Sequence, residues 1–138
     1  YLDELSDEAM EAIVSWGERR PNSRILVILR HLGGAVARID EQATAYGNRK
    51  AQYMLSVDGA WTDPQETQQY IEWIRAFWDD MQRFSNGGVY LNFPGFGEGE
   101  TILWRASYGA NYERLVAIKA KYDPTNLFRV NQNIKPKS

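Results

Sequence analysis

The chain has 138 residues, a net charge of −2, 43 % hydrophobic and 25 % charged residues, which suits one globular domain and excludes disordered and collagen-like classes. It has no cysteine and one histidine, so disulfides, thiolate metal sites, a cysteine nucleophile, a cysteinyl cofactor link and a multi-histidine zinc site are all ruled out within these residues. The mild acidity argues against a nucleic-acid surface, and no apolar run approaches the roughly 20 residues of a membrane span. Aromatic residues make up 13 % of the chain, a supply that serves cores first and flat ligands second. It opens at Tyr1 rather than Met, as expected of a processed product or a piece of something longer.

Ser6 is placed to cap a helix that Asp7 and Glu8 favour in its first turn, with Met10, Ile13 and Val14 on its apolar side and Pro21-Asn22 as its end. Residues 24–32 are almost continuously apolar and read as a strand buried on both faces. Gly33-Gly34 reads as a tight hairpin turn, with a bulge as the alternative, leading into a second strand over 35–39. Residues 40–49 are polar loop. Residues 52–61 alternate as a strand, with Tyr53, Leu55 and Val57 on one face and Gln52, Met54, Ser56 and Asp58 on a polar face toward water or a cavity.

Asp63-Pro64-Gln65-Glu66 predicts a helix start, with Asp63 as N-cap, Pro64 at the first helical position and Glu66 closing a capping box. Tyr70, Trp73, Ile74, Phe77, Trp78, Met81 and Phe84 then form an apolar stripe, and Asn86-Gly87-Gly88 ends it. Residues 89–93 alternate as a short strand with Tyr90 and Asn92 on one face, followed by a turn-rich loop over 94–99. Helices are expected over 101–108 and from about 110 to 122, the latter with Leu115, Ile118 and Tyr122 inward and Asp123-Pro124 as its stop. The predicted class is α+β: a small antiparallel or mixed sheet of about four strands with helices packed on it.

No phosphate-binding glycine loop, HExxH or GxSxG motif is present. The candidates for chemistry are polar residues on strand faces: Gln52, Tyr90, Asn92 and His31. A phenol ionises near 10 and needs help to act as a base at neutral pH. By themselves these residues read more readily as hydrogen-bonded or solvent-facing side chains, and the basic C-terminal quarter (Lys119, Lys121, Arg129, Lys135, Lys137) as a solvated face.

The run NYERLVAIKAKYDPTNLFRVNQNI over 111–134 resembles the signature end of the berberine bridge enzyme-like family, FAD-linked oxidases of the vanillyl-alcohol oxidase fold. Tyr90-Leu91-Asn92-Phe93, Gln52-Tyr53 with Trp61, and His31-Leu32-Gly33-Gly34 resemble further family segments in the right order, so the likeness spans about residues 24–136. The resemblance implies a C-terminal fragment of an FAD-dependent oxidoreductase acting on an alcohol, amine or related carbon centre. Residues 1–100 would be part of its substrate-binding domain and 101–138 its berberine-bridge-like terminal segment.

It implies Tyr90 as the base or its support, Gln52, His31 and Arg30 on the substrate side, and Asn92, Asn131 and Asn133 near the flavin. A carboxylate serves as base in some members where this chain has Gln52, which cannot take that role. Arg30-His31 stands where some members carry an acidic or tyrosine helper, and a cation near Tyr90 would favour its phenolate. The implied partners are a small-molecule substrate and an upstream FAD-binding domain, outside this chain, that holds the cofactor and its covalent links. The rival readings are a stand-alone α+β module that binds a small molecule without catalysis, and a structural remnant.

Overall fold

The computed structural model describes residues 1–93, 100–130 and 132–137. The chain divides into two compact units: Tyr1–Gly33 with Ala51–Asn86, and Gly34–Lys50 with Gly87–Ser138.

The first unit opens with α1 (Asp7–Glu18), whose cap is the expected one: Ser6 accepts from the Ala9 amide at 3.2 Å. Strands β1 (Leu26–His31) and β2 (Tyr53–Asp58) pair antiparallel, with Val27 opposite Val57 and Leu29 opposite Leu55. Among the described residues the sheet has these two strands and not about four. Residues 24–32 are not buried on both faces: Leu26 and Leu29 are 50 % and 38 % exposed, and only Ile25 is fully buried.

Helix α2 (Thr67–Met81) follows a 3₁₀ turn over Pro64–Glu66. Asp63 caps that turn by accepting from the Gln65 amide at 2.9 Å. Glu66 does not close a capping box. Its carboxylate accepts the Tyr70 hydroxyl at 2.5 Å, and that bond is the main reason the phenol is held above its ordinary range.

The stripe on α2 makes the core. Phe77 is fully buried with Met81 and Ala12, and Trp16, Trp73, Val27, Leu55 and Val57 pack around them. Trp16 stacks on Phe77 with centroids 5.3 Å apart and meets Trp73 edge-on at 5.6 Å. Its indole N–H reaches Asp80 at 2.8 Å, so the half-buried ring leaves no donor unpaired. Trp78, counted in the stripe, lies outside it at 44 % exposure.

The second unit contains α3 (Glu100–Tyr108), a 3₁₀ turn over Gly109–Asn111 and α4 (Tyr112–Tyr122). The two strands expected here are not formed. Residues 35–39 are successive turns, starting from Gly34 in the left-handed region at φ 54°. Residues 89–93 close a turn in which the Phe93 amide donates to the Tyr90 carbonyl at 3.0 Å, the geometry of a chain reversal.

On α4 the buried residue is Tyr112, while Ile118 and Tyr122, expected inward, are 42 % and 74 % exposed. The tail folds back over Lys119 instead: its ammonium donates to the Asp123 carboxylate and the Phe128 carbonyl. Among the described residues no helix is long and apolar enough to cross a membrane.

Candidate functional site

The predicted site residues fall in both units. Arg30, His31 and Gln52 belong to the first; Tyr90, Asn92 and Asn133 belong to the second. Asn131, also expected near the cofactor, lies outside the described residues.

In the second unit, the tail and α3 hold the segment that carries Tyr90. The Ser107 hydroxyl, on α3 and buried, donates to the Val89 carbonyl at 2.8 Å. The Gln132 amide donates to the Leu91 carbonyl at 2.9 Å. Between these two pins the turn brings Asn92 back onto Tyr90, and its Nδ2 donates to the phenol oxygen at 2.7 Å. The Tyr90 ring is half-buried and meets Phe93 edge-on at 5.1 Å. The pairing of Tyr90 with Asn92 is thus real, but a turn makes it rather than the alternation of a strand.

The Asn92 bond holds the Tyr90 phenol oxygen in a fixed place. Ser107 escaped the sequence reading, and Gln132 entered it only as part of the terminal motif. Gln132 lies inside the motif that carried the resemblance, but nothing in its residue type says that it grips a carbonyl 41 residues away.

In the first unit, Arg30 and His31 end β1, and Gln52 precedes β2. Arg30 Nη1 donates to the Ser56 hydroxyl at 2.8 Å, and Ser56 passes its own proton toward Asp58 at 3.4 Å. This is the polar sheet face foreseen for β2. His31 lies over the Tyr53 ring at 5.2 Å between centroids. The Gln52 side chain is exposed while its backbone is fully used, accepting from Leu32 at 2.7 Å and donating to Leu2 at 3.1 Å.

The Asn133 Oδ1 is buried and finds no donor among the described residues. Such an acceptor is costly to leave unmet. It suits a flat, amide-like ring edge such as that of a flavin, which offers an N–H between carbonyls. No cluster of His, Asp or Glu that would hold a metal occurs among the described residues.

A family model described as berberine and berberine like matches residues 89–135. The FAD-linked oxidoreductase YgaK of Bacillus subtilis (strain 168) is 35 % identical over 96 % of this chain, which covers 29 % of that protein. Berberine bridge enzyme-like C-1 of Nicotiana tabacum is 30 % identical over 94 % of this chain, covering 28 % of it. The crystal structure of a glycopeptide hexose oxidase complexed with teicoplanin superposes with a TM-score of 0.82 at 25 % identity, over 99 % of this chain and 31 % of the other. The chain spans less than a third of the length of the curated relatives it matches.

Proposed function

This chain belongs to the berberine bridge enzyme-like family of FAD-linked oxidoreductases, and we propose that it is the C-terminal part of an enzyme that oxidises an alcohol, amine or related carbon centre. In this reading residues 1–100 form the end of the substrate-binding domain and 101–138 the terminal segment. The FAD itself is carried mainly by the rest of the full-length protein, since no phosphate-binding loop lies within these residues. Bound FAD supplies the hydride acceptor.

The chain's own contribution is proton removal and orientation. Tyr90 Oη takes the proton from the substrate hydroxyl or amine as the adjoining carbon is oxidised. Asn92 Nδ2, on that oxygen at 2.7 Å, keeps the phenol in place. Ser107 and Gln132 position the turn without touching substrate. Gln52, His31 and Arg30 line the substrate side. Asn133, with its unmet acceptor, faces the flavin ring, and Asn131 is assigned to the flavin side by the resemblance alone.

The observation that carries the reading is the Tyr90–Asn92 contact inside a doubly pinned turn. The test is Tyr90→Phe in the full-length enzyme, followed by anaerobic flavin reduction. A general base contributes about 10²–10⁴-fold, so reduction should slow by that range with flavin content unchanged. Reduction within about threefold of wild type would remove Tyr90 from the role. The hexose oxidase among the structural neighbours makes a sugar hydroxyl the first substrate class to assay. A full-length protein that binds small molecules yet carries no flavin would return the chain to the reading of a non-catalytic binding module.

A further inference from the structure

Arg49 is a buried charge that proton removal at Tyr90 does not use. It lies in the second unit and is 8 % exposed. Its Nη1 donates to the Val36 carbonyl at 3.3 Å and its Nη2 to the Thr44 hydroxyl at 2.7 Å. Its Cζ stands over the Tyr46 ring, 5.4 Å from the centroid. All three partners are neutral. Nε is buried and meets no acceptor, and among the described residues no carboxylate pairs with the guanidinium.

A cation taken out of water is ordinarily matched by an opposite charge, because dipoles and a ring face return only part of what its hydration gave. The acids of the same loop are engaged elsewhere. Asp40 accepts the Gln42 amide at 2.8 Å, and Glu41 pairs with Lys50 at 3.3 Å. Arg38 and Lys50 add positive charge to the loop, and Arg114 brings more by donating to the Gln42 carbonyl at 2.8 Å. The surroundings of Arg49 are therefore positive in a chain whose net charge is −2. Val36 and Thr44 are themselves exposed and Tyr46 is half-buried. The cover over the guanidinium is thus one layer of surface residues, and an anion reaches it without crossing a core. Nε and Nη2 form one edge of the planar guanidinium, whose parallel N–H bonds match the two oxygens of a carboxylate.

We propose that the Nε–Nη2 edge of Arg49 is a carboxylate-binding site. Its ligand is a small free carboxylate or an acidic side chain from elsewhere in the full-length protein, and the two sources share one chemistry. The inference is independent of Tyr90 and of the flavin.

The Arg49 Nε–H resonance of the full-length protein, labelled with ¹⁵N in arginine, reads the site. Its loss in Arg49→Lys assigns it. Where that variant does not fold, Thr44→Val, which removes one acceptor and keeps the charge, assigns it by its shift. The measurement is made with Asp40→Asn and Glu41→Gln in place, so that the loop's own acids do not report. A free carboxylate is shown by a resonance that moves saturably with millimolar sodium formate and stays still in sodium chloride at equal ionic strength. An acidic side chain is shown by a resonance that ignores formate but moves as acid protonates its partner, because the charge-assisted bond is then lost. A resonance that moves with neither formate nor acid overturns the proposal, since Nε then has a neutral partner or none. Equal movement with chloride and formate also overturns it, because the edge then takes any anion rather than a carboxylate.

Discussion

The two units are held together by different means. The first is built around side chains that exclude water: Phe77, Met81 and Ala12, ringed by Trp16, Trp73 and the inward face of the ribbon. The second relies far more on single polar side chains that grip distant backbone. Asn111 Nδ2 donates to the Glu41 carbonyl at 2.7 Å, Asn48 to Ser107 at 3.3 Å, Arg114 to Gln42 at 2.8 Å, Ser107 to Val89 at 2.8 Å and Gln132 to Leu91 at 2.9 Å. Arg49 is buried at 8 % exposure and ties Val36 and Thr44 into the same loop. Apolar packing is cooperative and indifferent to direction, whereas each grip holds one carbonyl at one place. The unit that carries Tyr90 is the one where such directional placement prevails.

This contrast sets the expected order of effects. Phe77→Ala in the full-length protein should cost about 3–5 kcal/mol in denaturant unfolding, the range for emptying a fully buried aromatic site. A cost below about 1 kcal/mol would mean that the first unit does not depend on that core. Asn111→Ala removes a buried donor and strands the Glu41 carbonyl, so about 1–3 kcal/mol is expected. An effect as large as that of Phe77→Ala would erase the distinction between the units. Gly47→Ala presses the same contact from the other side. The added methyl would lie 3.2 Å from the Tyr108 carbonyl oxygen and 3.5 Å from Asn111 Nδ2, and a smaller loss, of order 1 kcal/mol, should appear in the same unfolding assay.

The smallest effect should come from pH. The Lys119 ammonium, helped by the Leu127 and Phe128 amides, holds the Asp123 carboxyl below the usual carboxylate range. A group whose folded pKa is depressed stabilises the fold above its unfolded value, near 3.8 here, and loses that contribution as pH falls through the lowered one. Asp123→Asn should therefore be less stable than wild type at neutral pH, and the gap should close in strong acid. A gap that stays constant across that range would show that the carboxylate charge is not what holds the tail.

Tyr90 and Asn92 were legible as a pair, and Gln132 only as part of a motif. The reason is distance along the chain. Two residues apart, Tyr90 and Asn92 meet through local geometry of almost any kind, strand face or turn. Gln132 reaches a carbonyl 41 residues away, and Asn111 one 70 residues away, so neither contact leaves a local pattern. The outward face of α4 escaped for the same reason: Ile118 and Tyr122 carry an inward spacing, but the tail chose Lys119 as its anchor.

The sequence by itself determined the helices, the Ser6 and Asp63 caps, the core stripe of α2 and the family, because a helix satisfies its backbone internally and announces its ends in its own residues. The tertiary structure decided which extended segments became strands. Residues 35–39 and 89–93 carry β-forming residues, yet both turn, while 26–31 and 53–58 pair. A strand is completed only by another strand's backbone, and no residue in the segment records whether that partner is there.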